Sequence, residues 1–218
     1  MRVIHLSILA GLLWLPIAGL GQSEEWMPQY HIDILKSMKL TYKKPDGFTE
    51  VPGTECFKFI PKLKLILTCA GNQLHSEDGQ FIAFIPIYRI LTKQDSIDIK
   101  RMFPNGIFEG VDRRHASQIR GNIRYSLGDT AAQNWKSYVT YYSSTDARYK
   151  FNADTAISFS IKLNPGEYYL GKYNHLDALF LQREGKGFIN FYCFYTDKAK
   201  KHLAKYWNAI EGIFRYED

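Results

Sequence analysis

The chain has 218 residues, of which 45% are hydrophobic, 15% aromatic and 23% charged, a balance that excludes a disordered or low-complexity polypeptide and supplies ample core. Twenty-eight Lys and Arg against 22 Asp and Glu give a formal charge of +6, which bears on partners rather than on fold.

Met1-Arg2 is a short positive start, Val3 to Pro16 is an apolar run interrupted by His5 and Ser7, and Ile17-Ala18-Gly19-Leu20-Gly21 places small residues before Gln22. This is the pattern of a cleaved secretory signal over residues 1–21, bacterial in style, followed by one domain over 22–218. The run is shorter than the roughly 20 residues needed to span a bilayer, and no later stretch reaches that length, so no transmembrane segment is expected after cleavage. Export to the periplasm or the cell exterior leaves a mature charge of about +5. It also puts Cys56, Cys69 and Cys193 in an oxidising compartment. Cys56 and Cys69 can close a short loop worth about 3 kcal/mol, or Cys69 and Cys193, both in strand-like runs, can be buried thiols. Their spacing fits no zinc site and no Cys-x-x-Cys redox pair.

Gln22 to Gln29 reads as a loosely held start, Met38 to Lys43 as a strand, and Pro45-Asp46-Gly47 as a turn delivering Phe48 to another short strand. Leu63 to Cys69 alternates as a half-buried strand, Ala70 to Gly79 is polar turn, and Gln80 to Arg89 is a strand whose Pro86 points to an edge or a bulge. Asp95-Ser96 caps a short helix to Phe103. Over Asp112 to Leu127 the spacing aligns Ala116, Ile119, Ile123 and Leu127 on one helix face beside a stripe of Arg113, Ser117, Arg120 and Arg124. Thr130 to Tyr142 is a helix, or a helix running into a strand. Ile157, Phe159, Ile161 and Leu163 alternate with polar residues, the mark of a strand with one wet face, and Asn164-Pro165-Gly166 turns the chain. Ala178 to Arg183 and Phe188 to Tyr195 form a hairpin across Glu184 to Gly187, the second strand apolar on both faces and therefore central. Thr196 caps a helix carrying Ala199, Leu203, Tyr206, Trp207 and Ile210, Gly212 stops it, and Ile213 to Tyr216 closes as a strand.

Hairpin-linked strands with helices in the middle and near the end define an α+β domain with a mainly antiparallel sheet flanked by helices. The opening strand with Pro45-Asp46-Gly47-Phe48, the central hairpins, and the Thr196-Asp197 helix leading to Gly212-Ile213-Phe214-Arg215 resemble the PsbP-like α/β/α sandwich family. That resemblance implies a non-enzymatic role, since the family consists mainly of binding and assembly factors, and it carries over no functional residue.

His175 and Asp177 fall on one side of an extended segment, where the carboxylate can orient an imidazole for general-base work, and Cys193 lies on the strand expected to pair with them. A secreted hydrolase built on these residues is the alternative function; no Gly-x-Ser-x-Gly or papain-like signature surrounds any Ser or Cys. His75, Glu77 and Asp78 form a polar turn, Asn152, Asp154 and Thr155 a turn-and-cap cluster, and no metal or other cofactor is expected. Arg113, Arg120, Arg124 and nearby Lys136 form a candidate anion-binding edge, and Lys198, Lys200, Lys201 and Lys205 a second basic group. Export argues against nucleic acid, so the expected partner is an acidic protein, in the manner of a periplasmic inhibitor or assembly factor, or an anionic component of the envelope. The tyrosines around Tyr138, Tyr141 and Tyr142, and around Tyr168, Tyr169 and Tyr173, are either strand packing or a carbohydrate-stacking platform.

Overall fold

The computed structural model describes residues 29–51, 71–89, 111–163 and 171–218, together with positions 97, 100 and 101. The signal segment, Cys56, Cys69, the strand expected at Leu63 to Cys69, the turn at Asn164-Pro165-Gly166, and Tyr168 and Tyr169 lie outside the described residues, as does most of the helix expected from Asp95.

In chain order the elements are α1 (Gln29–Ser37), β1 (Leu40–Tyr42), β2 (Phe48–Val51), β3 (Gly71–Ser76), β4 (Phe81–Arg89), α2 (Val111–Leu127), α3 (Asp129–Gln133), a 3-10 turn (Trp135–Tyr138), β5 (Thr140–Tyr141), α4 (Ser144–Phe151), β6 (Thr155–Lys162), β7 (His175–Arg183), β8 (Gly187–Tyr195), α5 (Asp197–Lys200), α6 (Leu203–Ile210) and β9 (Phe214–Tyr216). Seven strands form one antiparallel sheet in the order β2-β3-β4-β8-β7-β6-β5, and β1 pairs with β9 in a separate ribbon. The domain is α+β.

Strand periodicity divides the interior in two. Every residue of β8 is buried. Its Ile189, Phe191, Cys193 and Tyr195 face a first core with Leu179 and Leu181 of β7, closed by α1, α4, α5, α6 and the β1–β9 ribbon. Phe188, Tyr192 and Phe194 face a second core with Phe180, closed by Ile119 and Ile123 of α2 and Ala131 of α3. Helices therefore cover both faces, and β8 is the central strand, as its two-sided apolar pattern requires.

Several elements depart from expectation. Gln29–Ser37, for which no element was expected, is a helix anchored through Ile34 in the first core, and the loose start expected over Gln22 to Gln29 lies outside the described residues but for Gln29. The polar stretch expected as a turn holds β3: Leu74 alone is the apolar residue turned to the first core, while Gln73 and His75 face the other way. Pro86 sits in an interior strand rather than at an edge; the β4–β8 ladder keeps one register on either side of it, resuming at Ile87↔Ile189 after Phe84↔Tyr192. Leu127, expected on the apolar face of α2, is 42% exposed, because the helix ends there and Gly128 turns the chain away at φ 93°. The final helix is broken at Lys201-His202 into α5 and α6, and α6 then stacks Tyr206 on Phe81 with ring centroids 5.0 Å apart.

One glycine is required by close approach. At Gly187, φ is +140° and an added Cβ would lie 2.2 Å from the Tyr88 carbonyl oxygen and 2.9 Å from the Met38 methyl. Its own carbonyl accepts the buried Tyr216 hydroxyl at 3.1 Å, tying β8 to β9. Gly187→Ala is expected to destabilise the domain by about 3 kcal/mol or more, because the obstacle is backbone and cannot rotate away. Gly185→Ala, strained in φ but with open space around it, costs about 1 kcal/mol. Urea unfolding of the two variants should show that order of midpoints with unchanged slopes.

Candidate functional site

The first-core face of the sheet changes character along β7. Leu179 and Leu181 lie under helices, whereas Asp177 and His175, two and four residues earlier on the same face, are only half-buried. Register brings polar side chains to them from both neighbours: Ser160 of β6 and Cys193 of β8 lie opposite Asp177, and Tyr195 lies opposite His175. Asp177 accepts from the Ser160 hydroxyl at 2.6 Å on one oxygen and from the Tyr195 hydroxyl at 3.0 Å on the other. Burial, and then the charge of Asp177, push the Tyr195 phenol up.

His175 does not use Asp177. Its Nε2 lies 2.7 Å from Oδ1 of Asp197, and its ring stacks on Tyr195 with centroids 5.0 Å apart. Asp197 opens α5, whose N-cap Thr196 accepts the Ala199 amide at 3.1 Å, so the His–Asp contact ties the start of β7 to the first turn of a helix. The bond to His175 leads the contributions that hold the Asp197 carboxyl below its ordinary range. Asp197, Tyr195 and Ser160 were missed by sequence reasoning, which lacked the registers that bring them in; the wet face of β6 was the one signal for Ser160.

A groove of about 720 Å³ opens here, lined by His175, Asp177, Tyr195, Asp197, Ser160 and Lys200 among others. A second, of about 390 Å³, shares Ser160 and Asp177 with it and extends past β5. Cys193 lines neither groove. It is a free, fully buried thiol in the first core, pushed well up by burial and then by the charge of Asp177. The thiolate that a cysteine nucleophile requires is thus disfavoured.

Of the basic edge, Arg120 and Arg124 on α2 and Lys136 on the 3-10 turn are exposed; Arg113 lies in α2, and its side chain is outside the described residues. Arg124 is already paired with Asp129 at 2.8 Å. The second basic group is more concentrated. Where β4 begins and β8 ends, the Thr196 amide donates to the Gln80 carbonyl, Tyr173 to the Gly79 carbonyl and Tyr206 to Asp78, so the β3–β4 turn, α5, α6 and the segment before β7 meet at one end of the sheet. Lys172, Lys198, Lys200, Lys201 and Lys205 are all exposed on these segments. Among the described residues none of the five forms an ion pair; Lys172 and Lys205 lie over the Tyr173 and Tyr206 rings at 5.2 and 5.6 Å. Of the nearby carboxylates, Asp197 meets His175 and Asp78 accepts from Tyr206 and Ser76, each at 2.7 Å, while Glu77 is exposed. His75 lies on β3, near Gln73 Oε1 at 3.3 Å, and burial followed by the charge of Lys172 lowers its pKa. Among the described residues no three His, Cys, Asp or Glu side chains are grouped to hold a metal ion.

No protein-family model matches the chain, and no curated protein sequence matches it. Among solved structures the chain is similar to the solution structure of cyanobacterial PsbP (CyanoP) from Synechocystis sp. PCC 6803. The two share 11% sequence identity at a TM-score of 0.37, over 83% of this chain and 88% of that one.

Two expectations follow from the geometry. Burial works to raise the Asp78 carboxyl, but hydrogen bonds from Tyr206 and Ser76, the Gln80 amide and the charge of Lys205 outweigh it and hold it below its ordinary 3.8. A carboxylate depressed in the folded state contributes stability that is present above the unfolded pKa and is lost as pH falls through the folded one. Carboxyl-detected NMR titration should place the Asp78 midpoint below that of the unfolded chain, and Tyr206→Phe should move it upward. In the second experiment, iodoacetamide labelling mapped by peptide mass spectrometry should leave Cys193 unmodified in the native protein and modify it in urea.

Proposed function

We propose that the chain is an exported, non-enzymatic binding protein of the bacterial cell envelope, with residues 1–21 as a removable signal and 22–218 as the mature domain. Its partner is an acidic protein surface, met by the lysine-rich end of the sheet. One observation supports this reading above the others: Lys172, Lys198, Lys200, Lys201 and Lys205 are exposed together on that end, and among the described residues none of them forms an ion pair. Five lysines against the carboxylates of Glu77, Asp78 and Asp197 leave an excess of positive charge at this end, and such a surface steers and selects a partner of opposite sign. The Arg120, Arg124 and Lys136 edge is a lesser contributor, because Arg124 is already paired. Among the described residues no helix is long and apolar enough to cross a membrane.

The full chain should retain poly-L-glutamate at low ionic strength and release it as salt shortens the Debye length towards about 3 Å near 1 M. The triple variant Lys198→Glu, Lys201→Glu, Lys205→Glu should bind at least about tenfold more weakly, whereas Lys39→Glu, at the opposite end of the sheet, should bind as the parent does. Equal retention by the triple variant, measured by biolayer interferometry, would sink the assignment of the partner to this surface.

A further inference from the structure

The groove beyond β5 has a composition that the lysine end does not explain. Its floor is a polar row on one sheet face: Thr140 of β5 opposite Ser158 of β6, then Ser160, two residues further along β6, opposite Asp177 of β7. These side chains are spaced by the sheet itself, about 4.8 Å between strands and about 6.6 Å between alternate residues. Its walls are aromatic. Tyr138 and Tyr142 come from the chain entering and leaving β5, and Trp207 comes from α6. Tyr138 is 45% exposed, more open than core packing of a tyrosine requires. Both this groove and the one it joins at Ser160 and Asp177 fall within the roughly 300–1,000 Å³ range of small-ligand sites.

The lining narrows the chemistry of an occupant. A purely apolar ligand would shut Thr140, Ser158, Ser160 and Asp177 off from water while offering none of them a hydrogen bond. An anion would meet the Asp177 carboxylate directly. Asp177 already accepts one hydrogen bond on each oxygen, and its remaining lone pairs can accept further O–H or N–H donors. Thr and Ser hydroxyls both donate and accept, so they suit ligand groups that do the same. An extended peptide would be held by strand backbone, whereas the polar groups lining this groove are side chains on a sheet face. Ring hydroxyls that donate and accept, set around flat C–H faces that lie on aromatic rings, describe a saccharide.

We propose that the groove formed by Tyr138, Tyr142 and Trp207 over Thr140, Ser158, Ser160 and Asp177 is a binding site for a neutral oligosaccharide. The aromatic rings receive the C–H faces of the sugar, and Asp177 with the seryl and threonyl hydroxyls reads its hydroxyl groups. Lys198, Lys201 and Lys205 do not line this groove, although the groove that joins it at Ser160 and Asp177 includes Lys200.

The test is titration of the full chain with cellotriose, maltotriose and chitotriose, followed by calorimetry and tryptophan emission. At least one should bind with a Kd below about 5 mM, with an emission change that is absent in Trp207→Phe. Tyr138→Ala and Ser160→Ala should each weaken binding about fivefold or more, and Asp177→Asn should weaken it further. Tyr138 is exposed, so its variant should melt as the parent does, which separates lost binding from lost folding. The lysine-end triple variant should bind the sugar unchanged. Absence of binding by all three trisaccharides, binding indifferent to Tyr138→Ala and Ser160→Ala, or binding of spermidine at this groove in their place would overturn the proposal.

Discussion

Everything in this domain is arranged around a strand that cannot touch water. β8 buries all nine of its residues, and five of its side chains are Phe or Tyr, each worth roughly 1.5–3 kcal/mol when removed from solvent. A strand of that kind must have a partner on each edge and a cover on each face. β4 and β7 satisfy its edges, the helices and the β1–β9 ribbon cover one face, and α2 and α3 cover the other. The three-layer architecture follows from that single demand.

The same alternation accounts for the polar end. β7 and β8 run in register from Arg183↔Gly187 to His175↔Tyr195, so the face that is apolar at Leu181 and Leu179 becomes polar at Asp177 and His175 without any change of backbone. Beyond the reach of the helical cover, polar side chains can occupy core-facing positions only if they satisfy one another. Ser160 and Tyr195 do so on Asp177, and Asp197 does so on His175.

Strong periodicity was legible from residue order alone. The β7–β8 hairpin, the wet-faced β6, the helix carrying Ile119 and Ile123, and the closing strand all stand where their patterns place them. What escaped had weak local signals. β3 turns one apolar side chain, Leu74, into the first core and is a strand because β2 and β4 flank it, and Pro86 is tolerated inside the sheet because the ladder yields locally without slipping register. The shared face of His175 and Asp177 was visible in their spacing. Their partners were not, because Asp197 reaches His175 from 22 residues away, through the hairpin and the cap of α5.

Both sheets are closed by the end of the chain. β4 finds its inner neighbour in β8, about a hundred residues later, and β1 finds β9 only among the last five residues. Until those segments exist, β1 has no strand partner and the β2–β3–β4 meander has an open edge at β4. Assembly therefore has to wait for the C-terminus. The chain meets large loop-closure costs before its central contacts form, and long-range strand pairing of this kind slows folding.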